Sequence, residues 1–234
     1  MMLSRPSVYL VLLFSVFVRF SANAASDPEI DRLLKKLPPP EKLVQADERV
    51  IRVNDPALRD PLLKQLEAAT NAKQAKRALA LSRQLVARYP SSAAANYFAG
   101  YFAADQKRYA EASNAFRKAL AVQPQFVIAH YYLGYVEWEL RHYSNAMQHL
   151  RQVTKLEPRA SAGWAVRSLC AEMIGARQES VMAARRLVEL EPGTAAAWIR
   201  LAMAENNAGN HDAAVKALNK AVSLERSTKH KKKK

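Results

Sequence analysis

Residues 127–158 read VIAHYYLGYVEWEL, RHY, SNAMQHLRQVTKLE and P, the pattern of two helices, a break and a stop. Apolar residues recur at three- and four-residue spacing over 127–140 and again over 144–157, as amphipathic helices require. Arg141-His142-Tyr143 separates the two runs. Pro158 ends the second, because proline lacks the N–H a helix needs and pushes the residue before it out of helical geometry. Gly134 and Ala146 carry almost no side chain, so the two helix axes can approach closely while Leu133 and Leu150 fill the grooves around them.

The same unit recurs outward from this stretch. Pro90, Pro124, Pro158 and Pro192 are each 34 positions apart. Gly100 and Gly134, Ala112 and Ala146, Trp164 and Trp198, and Gly175 and Gly209 keep that step, and Leu-Glu-Pro occurs at 156–158 and 190–192. One two-helix unit cannot bury its apolar face alone, so several must stack into a continuous core. The composition agrees: 50% of residues are hydrophobic and only 6 are Gly, a mix that favours helix.

With these residues in register, the chain resembles the tetratricopeptide repeat (TPR) family. That family's pattern has a bulky residue at repeat position 4, Leu-Gly at 7–8, Gly at 15, Ala at 20, an aromatic at 24, Ala at 27 and Pro at 32. A unit starting at Ala93 supplies Gly100, Ala112, Phe116, Ala119 and Pro124. One starting at Val127 supplies Leu133, Gly134, Tyr143, Ala146, Leu150 and Pro158. The units starting at Ser161 and Ala195 keep Trp164, Gly175 and Pro192, and Trp198, Leu201, Ala202, Gly209, Ala214 and Ala221, with Arg226 in place of the last proline. The family's tyrosine at position 11 is replaced throughout, by Ala103, Glu137, Ala171 and Glu205. The resemblance implies an all-α, right-handed superhelical solenoid of helix-turn-helix repeats: a degenerate repeat at 59–92, then repeats at 93–126, 127–160, 161–194 and 195–226. Residues 25–58, with the stiff spacer Pro38-Pro39-Pro40, form a leader to the array.

Family members resemble one another in binding proteins or peptides in a concave groove lined by the first helix of each repeat. The corresponding positions here are Tyr97 and Tyr101; Tyr131, Tyr135 and Trp138; Leu169 and Met173; and Ile199, Met203 and Asn206. The four tyrosines with Trp138 are the anchors an apolar peptide or helix would use, since such rings give large contact areas at low entropy cost. The cationic clamp that grips chaperone carboxylates in some family members has no counterpart among these positions.

Both ends of the chain carry charge signals. Arg5, the apolar run Val8–Val18 and Ala22-Asn23-Ala24 have the form of an export signal over residues 1–24, cut after Ala24. The expected location is therefore periplasmic or secreted; an uncleaved signal anchor holding the chain to a membrane is the alternative. The net charge of +15 is concentrated in part at the C-terminus, where 227–234 form a basic tail ending in Lys231 to Lys234. Such a tail stays solvated and suits an anionic surface, whereas export argues against nucleic acid as the partner. The single cysteine, Cys170, excludes an internal disulfide and sits in a helix-interior context. The five histidines form no HExxH pattern, and no phosphate-binding loop or nucleophile elbow occurs, so no enzyme, cofactor or metal site is expected.

Overall fold

The computed structural model describes residues 55–231, and side chains as far as Arg226. The predicted signal at 1–24, nearly all of the leader and Lys232 to Lys234 lie outside the described residues. Among the described residues there are ten α-helices and one 3-10 turn, with no strand. The turn spans Pro56–Arg59 and is followed by α1 (Leu62–Asn71) and α2 (Ala75–Arg88). The next pairs are α3 (Ala93–Asp105) with α4 (Tyr109–Val122), and α5 (Val127–Glu139) with α6 (Tyr143–Leu156). Then come α7 (Ser161–Met173) with α8 (Arg177–Leu190), and α9 (Ala195–Asn207) with α10 (His211–Lys231). Each helix packs on its chain neighbours, and α3, α5, α7 and α9 also touch in succession. The first helices therefore line the inner wall of a curved array.

Three local devices repeat with the 34-residue step. The first turns the chain between the two helices of a unit. Lys73, Lys107, Arg141, Gly175 and Gly209 all have positive φ, from 58° at Lys107 to 86° at Gly209. At Arg141 the N–H reaches Trp138 O at 2.8 Å and the next N–H, of His142, reaches Glu137 O at 2.8 Å. That pair of bonds is the Schellman turn, which satisfies carbonyls left open at a helix end. The same two bonds recur at the other four positions.

The second device holds the linker between units. Asn96 Nδ2 donates to Pro90 O at 2.8 Å, His130 Nε2 to Pro124 O at 3.0 Å, Trp164 Nε1 to Pro158 O at 2.9 Å and Trp198 Nε1 to Pro192 O at 2.8 Å. The repeat's fourth position thus supplies a side-chain N–H to the carbonyl of the proline six residues earlier.

The third is close packing at the small residues. A Cβ on Gly100 would lie 2.9 Å from the Phe116 ring, and one on Gly134 would lie 3.1 Å from Leu150 Cγ. Phe116, Leu133 and Leu150 are fully buried. Cys170 is buried too, and burial pushes its thiol well above the ordinary range, so it is an inert part of the core.

Candidate functional site

The inner-wall positions predicted from the sequence differ sharply in depth. Tyr97 and Tyr101 are 0% and 2% exposed. Tyr97 packs its ring against Phe116, Phe126 and Tyr132, and Tyr101 meets Tyr132 edge-on at 5.4 Å between centroids. Both rings are placed in the core between α3, α4 and α5, which corrects their assignment to an open wall. The space left by Gly100 admits Phe116, and the neighbouring rings close around it. Leu169 and Trp138 are buried in one apolar cluster with Met147, Val166 and Cys170, against which Tyr131 packs.

The accessible part of the wall lies elsewhere. Tyr131 and Tyr135 are half-buried, Met173 and Asn206 are exposed, and Ile199 and Met203 are half-buried. Tyr135 hydrogen-bonds Glu139 and Tyr109, and burial, then the Glu139 charge, drives its phenol far above the ordinary range. Burial, followed by Glu139, pushes Tyr109 up to about 12. These phenols stay protonated and serve as hydrogen-bonding, ring-bearing contacts. The structure brings Tyr131, Trp138 and Leu169 into one cluster, while Met173 stands on α7 and Ile199, Met203 and Asn206 on α9, outside that cluster.

A set of carboxylates at the joints between helices was not foreseen from sequence. Arg83, Arg117, Arg151 and Arg185 stand on the 34-residue step. Arg83 pairs with Glu111 and Arg151 with Glu179, second helix to second helix. Arg117 pairs with Glu137 and Arg185 with Glu205, second helix to the next first helix. The two glutamates standing where the family has tyrosine are thus electrostatic joints. Glu137 is fully buried and accepts from Ser113 at 2.7 Å, Arg117 at 2.7 Å and His142 at 2.9 Å. Burial pushes its carboxyl up, but those hydrogen bonds and the Arg117 charge outweigh it, and the net shift is downward.

Two further features are a histidine pair and an open cleft. His130 gives its Nε2 proton to Pro124 O, so its Nδ1 accepts the Nδ1 proton of His149 at 3.1 Å. An open cleft of about 600 Å³ lies outside the inner wall, lined by Trp164, Val181, Met182, Arg185, Arg186 and Asn210. Several of its polar groups bond within the protein: Trp164 with Pro158, Arg185 with Glu205 and Arg186 with Glu189. Among the described residues, no group of three or more His, Cys, Asp or Glu is placed to hold a metal ion. Among the same residues, no helix is long and apolar enough to cross a membrane.

Sequence profiles of the tetratricopeptide repeat match residues 63–113, 108–163 and 195–228. The chain belongs to the tetratricopeptide repeat family. Its array is similar to solved TPR structures. One is MamA (residues 41 to end) from Desulfovibrio magneticus RS-1, with a TM-score of 0.67 and 20% identity over 71% of this chain and 94% of that one. Another is YrrB, described as a TPR protein with an unusual peptide-binding site, with a TM-score of 0.65 and 22% identity over 81% of this chain and 97% of that one. These likenesses establish the solenoid. No curated protein sequence matches the chain. A TPR solenoid is the architecture of a protein-interaction scaffold, and this chain has that architecture.

Proposed function

We propose that this TPR protein is an exported adaptor, which grips an apolar peptide or helix along its inner wall and so organises a cell-envelope or secretion complex. The observation that carries the reading is the set of exposed or half-exposed apolar and amide side chains at Met173, Ile199, Met203 and Asn206, together with the half-buried rings of Tyr131 and Tyr135, on successive first helices. Thioether and aromatic groups give adaptable apolar contacts, and the amide satisfies a bound backbone. The peptide-binding site named for YrrB supports a ligand of this kind. Export rests on the signal-like residues 1–24.

The test places a photo-crosslinking side chain at Met173 and Met203, with Lys118 on α4 as the control site. Partner adducts at the first two positions and none at the third are expected. Equal labelling at all three removes the binding wall. N-terminal sequencing of the fractionated protein should give Ala25 as the first residue; an intact Met1 in the cytoplasm removes export. A second reading has the chain held at a surface, by an uncleaved signal or by its basic tail. The cations Arg226, Lys229 and Lys231 to Lys234 favour it.

A further inference from the structure

The repeat register shows what the last helix lacks. On α8, Val181, Ala184 and Val188 are 7%, 0% and 9% exposed, and they share a core cluster with Ala197 and Leu201 of α9. One step on, the equivalent residues of α10 are Val215, Leu218 and Val222, which are 57%, 50% and 40% exposed. Among the described residues, the end face of the array is therefore an apolar stripe along α10, on the side that α8 buries.

Arg226 replaces the proline that stops the other second helices, so α10 has 21 residues against 14 in α8. The helical spacing of Val215, Leu218 and Val222 continues through Arg226 to Lys229. From Lys216 onward the chain carries Lys216, Lys220, Arg226, Lys229 and Lys231 to Lys234 against the single acid Glu225. A second copy fits poorly: an antiparallel pairing of two α10 helices centred on Leu218 sets Lys216 against Lys220. A single acidic helix seated on the stripe would leave the lysines beyond it unmatched. A plane of anionic headgroups meets all of them.

We propose that this end face docks on an anionic lipid surface, with α10 lying along the headgroup layer. Val215, Leu218 and Val222 turn toward the acyl boundary while the following cations contact phosphates, the combination of apolar stripe and basic cluster that gives peripheral attachment. The inference deepens the surface-attachment reading above and rests on it.

The test is co-sedimentation of the full chain with phosphatidylglycerol-containing vesicles. Phosphatidylcholine vesicles measure any lipid affinity of the apolar run Val8–Val18. Binding should favour phosphatidylglycerol, weaken with salt, and fall about tenfold in Leu218→Asp and again on deletion of residues 227–234. Because Leu218 is half exposed, the substitution leaves the core intact, which a thermal melt verifies; Val215→Ser is the second variant. If Leu218→Asp and Val215→Ser bind like the parent while the deletion does not, the end-face inference fails and tail attachment survives. If phosphatidylglycerol confers no preference, both fail. A dimer in sedimentation velocity that Leu218→Asp dissolves, without vesicle binding, assigns the face to a second copy and overturns the proposal.

Discussion

Replacing Lys73, Lys107 and Arg141 together by glycine should make the protein more stable. All three hold φ near 60° at the Schellman turn, where Gly175 and Gly209 stand in the later repeats. A side chain in that region costs about 1–2 kcal/mol, because Cβ crowds the carbonyl. Glycine removes that strain but gives back about 0.4–1 kcal/mol through the greater freedom of its unfolded chain. The net gain is roughly 0.5–1 kcal/mol per site, and the sites are far enough apart to add, so about 2 kcal/mol in all. For an array of this size that raises the melting temperature by about 4–8 °C, measured by circular dichroism. The reverse experiment is Gly175→Ala, whose Cβ meets nothing within 4 Å, so its net cost of about 0.5–1 kcal/mol is backbone strain less the unfolded-chain gain, with no clash added. A triple variant that melts no higher than the parent, or a neutral Gly175→Ala, would refute the reasoning.

Gly100→Ala should destabilise by about 1 kcal/mol or more in urea unfolding, because its Cβ would lie 2.9 Å from the fully buried Phe116 ring and overpacking exceeds the gain in helix propensity. Gly193→Ala, with open space around it and no positive φ, should stabilise by about 0.4–1 kcal/mol in the same assay. Trp198→Phe keeps most of the ring but loses the 2.8 Å bond to Pro192 O, and should cost about 1 kcal/mol. His149 is held at about 4, against the ordinary 6.5 of a histidine, by burial and then by the neighbouring His130. The unfolded chain therefore takes up the proton first, and stability present above pH 6.5 is lost as pH falls from 6.5 to 4. Screening at this half-buried ring reduces the loss to about 1–2 kcal/mol. Unfolding curves across that window should show the loss in the parent and a smaller one in His149→Gln, where His130, also lowered by burial, remains.

The register of the array was legible because proline, glycine and alanine act locally. A proline ends a helix wherever it falls, and a glycine permits close approach whatever its surroundings, so α3, α5, α7 and α9 begin at Ala93, Val127, Ser161 and Ala195, where the repeat pattern starts. Depth on the inner wall was not legible in the same way. Periodicity gives the direction in which Tyr97 and Tyr135 point, but burial depends on the residues that arrive from other helices. Phe116 and Phe126 close over Tyr97, while Tyr135 is only half covered. Glu137 and Glu205 read as departures from the family because their partners lie 20 residues away. The arginines at 83, 117, 151 and 185 kept the common step and were the available signal.

Those carboxylates change how the array is held together. A stack bound by apolar contacts alone can slide or flex at each joint, since such contacts are non-directional. Here Glu137 links α5 to Ser113 and Arg117 of α4, and Glu205 links α9 to Arg185 of α8. Glu179 of α8 accepts from Arg151 of α6 and Arg167 of α7. Hydrogen bonds to a charged, largely buried carboxylate are directional and stronger than neutral ones, so each joint has a preferred angle as well as a contact. Hydrogen bonds from Arg151 and Arg167 bring Glu179 down to about 2 despite its burial, and Glu137 is also lowered. Glu137 and Glu179 therefore stay ionised at any pH near neutrality, whereas the His130–His149 contact does not share that insensitivity. These ion pairs add preferred angles to joints already packed by the apolar core; a ligand of the proposed kind would therefore meet a wall already shaped, without the ordering cost that a flexible surface would add on binding.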